Sequence, residues 1–153
     1  MNTEELYLKT VFCCMACDGS IAEEEIKALG RFVKNTPYFK TIDTQDVINR
    51  YVREINNQGI TFLMSFLKEL SEAQLEEKDE LVIIKLAIEM IKADNHIEYS
   101  EVSFFKKIRS RLNVSDETIL SCMEVEDLFL NQDIIDDDDV EFTSSFSEFS
   151  ISA

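Results

Sequence analysis

The stretch Ala16-Cys17-Asp18-Gly19-Ser20-Ile21-Ala22-Glu23-Glu24-Glu25-Ile26 returns once, as Lys92-Ala93-Asp94-Asn95-His96-Ile97-Glu98-Tyr99-Ser100-Glu101-Val102. The offset is 76 residues, and it lays Asp18 on Asp94, Ile21 on Ile97 and Glu25 on Glu101. Apolar positions keep step on both sides. Leu8, Val11, Phe12 and Met15 fall on Ile84, Ala87, Ile88 and Ile91, while Ile26, Leu29 and Phe32 fall on Val102, Phe105 and Ile108. Two copies are too few for a solenoid and suit one domain with a pseudo-twofold axis.

Each copy reads as helix, tight turn, helix. Gly19 stands where a helix ends in a left-handed residue, and Asn95, the next most tolerant type, stands there in the second copy. Glu25 and Glu101 lie three residues past Ala22 and Glu98, the N3 position of a capping box. If the two turns abut across the pseudo-axis, Ile21 and Ile97 would pair their backbones and bury their side chains.

Working outward, the spacing predicts an all-α single compact bundle of about seven helices. Thr3 caps a first helix to about Cys17, broken in its apolar surface only by Lys9 and Thr10, so it is central. A second helix runs from about Glu23 to Asn35 and stops at Thr36-Pro37. Thr44 caps a third, about Gln45 to Asn57; Gly59 ends it, and a fourth follows to about Leu70. The fifth, ending near Ala93, is the second central helix, with Lys85 and Glu89 as its one solvated stripe. A sixth covers about Tyr99 to Leu112, and Ser115 with Thr118 opens a short seventh to about Met123.

From Glu124 the character changes, which divides the chain into a helical domain, 1–123, and an acidic, Phe-containing tail, 124–153. The tail holds ten acids and no Lys or Arg; the remaining 21 acids stand against 15 bases, so most of the net charge of −16 belongs to the tail. Acidic blocks of this kind are usually solvated. Yet Leu128, Phe129, Ile134, Ile135, Phe142, Phe146 and Phe149 are many apolar residues for a solvating tail and suit a segment that docks. The nearest basic surface in the sequence is Lys106, Lys107, Arg109 and Arg111 with Arg31 and Lys34.

At the repeated turns the sequence resembles the TerB-like family, which takes in tellurite-resistance TerB proteins and the N-terminal domain of DjlA-type co-chaperones. The resemblance covers roughly residues 3–123 and rests on a doubled "-DG-I---E-" turn between helices. It departs at Ala22, where Ser or Asp is usual, and at Asn95-His96, where Gly and an acid are common. It implies a compact helical domain with an acidic metal-binding surface; it does not imply a known catalytic reaction.

The overall negative charge disfavours nucleic acid and anionic lipid. The acidic start, Asn2-Thr3-Glu4-Glu5, does not read as a signal peptide, and no apolar run approaches the roughly 20 residues of a membrane span. A cytoplasmic location is expected. Cys14-x-x-Cys17 has neither a βαβ context nor a second Cys/His pair, so Cys13, Cys14 and Cys17 read as small buried hydrophobes. With three glycines in the chain no phosphate-binding or dinucleotide loop can be written, and the single histidine, His96, forms no His-rich centre.

One constellation carries chemistry: Asp18, Glu25, Asp94 and Glu101. Should the turns meet, oxygen donors gather that suit a hard divalent cation, Ca, Mg or Mn. Asp18 and Glu25 lie seven apart, too close for an EF-hand loop of about 12 residues. The same four acids also read as caps and turn residues bonding backbone amides. Two functions follow. One is a non-enzymatic TerB-like interaction and stress-response module with an unidentified protein partner, open to modulation by a divalent cation at these turns. The other is a metal-dependent hydrolase using the same carboxylates, which needs an open coordination position.

Overall fold

A computed structural model describes residues 3–17, 20–21, 23–39, 42–92, 99–123, 125 and 150–151, with backbone alone at 20–21, 24 and 150–151. Seven helices occur among these residues: α1 (Thr3–Ala16), α2 (Glu23–Lys34), α3 (Thr44–Gln58), α4 (Ile60–Glu72), α5 (Glu77–Lys92), α6 (Tyr99–Ser110) and α7 (Asp116–Cys122). The all-α reading holds, and the expected helix limits agree to within a few residues.

α1 is the axle. It packs most extensively on α5 and also touches α2, α3, α4 and α6. A helix covered from so many sides must be buried all round, and every residue from Leu6 to Cys17 is. Phe12 is fully buried and meets the Tyr51 and Phe62 rings at centroid distances of 5.5 and 5.8 Å. The third side of this aromatic triangle, Tyr51 to Phe62, is 5.8 Å. It ties α1 to α3 and α4. Lys85 and Glu89 on α5 are exposed, as the solvated stripe requires.

Polar residues inside α1 find partners. Thr10 Oγ1 donates to Leu6 O at 2.8 Å, one turn back. Lys9 Nζ lies 3.0 Å from both carboxylate oxygens of Glu69 on α4, and 4.7 Å from the Phe62 ring centroid. At the far end of the bundle the buried Glu80 accepts from the backbone N–H groups of Asn113 and Val114, both at 2.8 Å. That carboxylate fastens α5 to the connection between α6 and α7.

Helix ends follow local chemistry. Asp43, one residue earlier than the expected Thr44, caps α3 by accepting from Asp46 N at 3.1 Å. A carboxylate there also meets the positive end of the helix dipole. Ser115 caps α7 by accepting from Thr118 N, as expected. Gly59 serves two helices at once. Its N–H closes α3 on Ile55 O, and its O accepts from Phe62 N in the first turn of α4. Its φ of 57° with ψ of −133° is backbone that only glycine adopts without strain.

A two-residue parallel ladder lies beside the helices. β1 (Ser20–Ile21) pairs with β2 (Ser150–Ile151), Ser20 with Ser150 and Ile21 with Ile151, and β2 also lies against α3. Ile21 thus pairs its backbone with the C-terminal strand. Its expected mate, Ile97, lies outside the described residues, as do Gly19, Ala22, Asn95 and Glu98.

Candidate functional site

Glu25 and Glu101 are each the third residue of a helix, α2 and α6, and both are half-buried. A first-turn carboxylate stands beside the unsatisfied N–H groups of its own helix, where the helix dipole favours negative charge. Asp18 and Asp94 lie outside the described residues. Among the described residues, no group of three or more His, Cys, Asp or Glu side chains is arranged to hold a metal ion.

The structure does bring the end of α1 to the start of α6. The Cys17 thiol lies 3.2 Å from Cys14 O and 3.7 Å from Ser100 O. Ser100 immediately precedes Glu101, and Cys17 immediately precedes Asp18. Glu101 also lies close enough to Cys14 for its charge to add to the effect of burial, and together they push that thiol well up. Glu101 therefore belongs to the same neighbourhood as Cys14, in the last turn of α1, from which the chain runs on toward the first repeated turn. Its donor chemistry is oxygen, as a hard cation requires.

Cys13, Cys14 and Cys17 are all buried and unbridged. Burial pushes the Cys13 thiol well up too, against the opposing pull of Lys9. A thiol held protonated in an apolar interior is neither nucleophile nor metal ligand. They act as small apolar side chains, as the sequence suggested.

The basic surface expected on the sixth helix is not one open face. Lys106 and Lys107 are buried at 8% and 1% exposure. Arg109 donates to Asp116 at 2.9 Å, and Arg111 donates to Lys107 O and Ser110 Oγ. α6 is covered on more than one side, so its lysine stems became packing material.

Arg31 and Lys34 belong instead to a groove that sequence reasoning missed. It runs between α2 and α3, has a volume of about 650 Å³, and is lined by Lys27, Arg31, Lys34 and Arg53 around an apolar strip of Ile26 and Val52. Glu23, 3.8 Å from Lys27, is its one acid. Among the described residues none pairs with Arg31, Lys34 or Arg53. The signal was present as cations one turn apart along α2, but Arg53 joins them only through the packing of α3 on α2.

No helix of the described residues is long and apolar enough to cross a membrane. The fold defines an all-helical domain built around one buried central helix, α1, whose end meets the start of α6. The family model for the tellurite resistance protein TerB matches residues 9–123, and the chain belongs to that family. Comparisons with curated proteins and with solved structures return no match.

Proposed function

We propose that the chain is a non-enzymatic interaction module of a tellurite-resistance-like stress response, acting in the cytoplasm on a protein partner, with a divalent cation as modulator. In this reading residues 1–123 are the helical domain and 124–153 an acidic tail with its own role. The cation, Ca, Mg or Mn, sits among Asp18, Glu25, Asp94 and Glu101. The observation that supports it is the abutment of Cys17 on Ser100, one residue from Asp18 on one side and from Glu101 on the other. Carboxylates drawn together repel, and a bound cation relieves that repulsion while joining the two hairpins.

Calorimetric titration of chelator-treated protein with Ca²⁺, Mn²⁺ and Zn²⁺ tests this, beside the Asp18→Asn/Asp94→Asn variant. The expected result is heat for an oxygen-preferring ion that vanishes in the variant. No heat for any ion overturns the cation part of the reading.

A further inference from the structure

We propose that the groove between α2 and α3 is the docking site of the chain's own acidic C-terminal segment, with Asp136, Asp137, Asp138, Asp139 and Glu141 seated against Lys27, Arg31, Lys34 and Arg53. Three observations meet here. The groove carries four cations against one acid, and three of the cations pair with no described residue. The segment carries ten acids and no base over residues 124–153, so the charges are complementary. The segment's far end is held close to the two helices that wall the groove, because Ser150–Ile151 pairs with β1, two residues ahead of α2, and lies against α3.

Reach and shape agree. Asp139 precedes Ser150 by 11 residues, which span up to about 36 Å when extended. α2, with its 12 residues, is about 18 Å long, so the aspartate run reaches the groove's distant end at Lys34. The strip of Ile26 and Val52 offers an apolar surface to Phe142 and Phe146, which lie between the aspartates and β2. At Gly30 an added Cβ meets nothing within 4 Å, which leaves the groove open at its middle. A nucleic acid is the weaker occupant, since four cations stand against a chain of net charge −16.

The proposal is independent of the cation reading, and its test does not touch the turns. A nitroxide is attached to Val140→Cys, beside the aspartate run and 10 residues from the strand at Ser150, in a full-length, ¹⁵N-labelled Cys122→Ser chain, and paramagnetic broadening of backbone amides is mapped. The expected result is broadening along the facing sides of α2 and α3. It is lost at about 1 M salt, where screening acts within about 3 Å. It is lost as well in the Lys27→Glu/Arg31→Glu/Lys34→Glu variant. Asp136→Asn, Asp137→Asn, Asp138→Asn and Asp139→Asn together remove it without altering any helix. Broadening centred elsewhere, or indifferent to these changes, overturns the proposal. So does broadening seen only between labelled and ¹⁵N chains mixed as separate molecules, which would make the occupant a second copy's tail.

Discussion

Lys9 and Glu69 form an ion pair whose two ends stand in different solvents. The ammonium is 3.0 Å from both carboxylate oxygens, yet the lysine side chain is 7% exposed and the glutamate 37%. The positive charge is thus held inside the bundle, over the Phe62 ring, while its counter-charge is at the rim.

The two halves of this pair should therefore differ in what their loss does. Glu69→Gln leaves a buried ammonium without its carboxylate and is expected to cost about 3 kcal/mol. Lys9→Met keeps the stem's packing and frees a carboxylate that water can reach, so it should cost about 1 kcal/mol or less. Urea unfolding of the two variants measures the difference, and equal losses would contradict the asymmetry.

Cys122 is the one exposed thiol of the four. A thiol reagent at pH 8 is expected to titrate one thiol per native chain and four in denaturant, with the three cysteines of the first helix's end protected by burial. Rapid modification of more than one in the native protein would show that this end of α1 opens.

Stability should fall as pH rises above about 8.5. Burial, the largest cause in each case, pushes the Cys13 and Cys14 thiols and the Tyr7 and Tyr51 phenols up. Asp79 adds to the effect at Tyr7, and Glu5 at Tyr51. The sign follows: the folded chain keeps these protons where the unfolded chain releases them, so their stabilisation is complete below the unfolded pKa and lost on going up. Urea midpoints between pH 7 and 11 check it, and a flat profile would refute it.

Two glycines should respond oppositely to alanine. Gly30 lies in α2 with open space at its Cβ, so Gly30→Ala should stabilise by about 0.5–1 kcal/mol through helix propensity alone. Gly59 holds positive φ between two helices, and Gly59→Ala should destabilise by about 1–3 kcal/mol. Thermal unfolding separates the two.

Truncating Phe12 to Ala opens the aromatic triangle at its buried corner and should cost about 3–5 kcal/mol. Phe12→Leu, which keeps most of the volume, should cost less. The comparison distinguishes packing at this site from a general intolerance of α1.

Much of the fold was legible because helical periodicity is a local signal. The nearly continuous apolar surface of 8–17 announced a central helix, Gly59 and Pro37 marked helix limits by their backbone chemistry, and Ser115 did so by its capping side chain. What escaped is non-local. Lys9 and Thr10 read as breaks in an apolar surface, and only the arrival of Glu69, 60 residues on, makes a buried lysine tenable. Lys106 and Lys107 read as a solvated face, since nothing in their own helix tells how many neighbours will cover it. The turn carboxylates were singled out through the repeat, and two of them, Asp18 and Asp94, lie outside the described residues. The contact of Cys17 with Ser100, 83 residues on, joins the end of α1 to α6, and no local signal announces it.

Glu80 has a mechanical consequence. One of its carboxylate oxygens holds two consecutive amides, those of Asn113 and Val114, more than 30 residues away in sequence. A tensile load applied beyond α7 would peel no further than this anchor, because Asn113 and Val114 precede that short helix. It would be carried through a single oxygen into α5, and so to the rod on which the whole assembly turns.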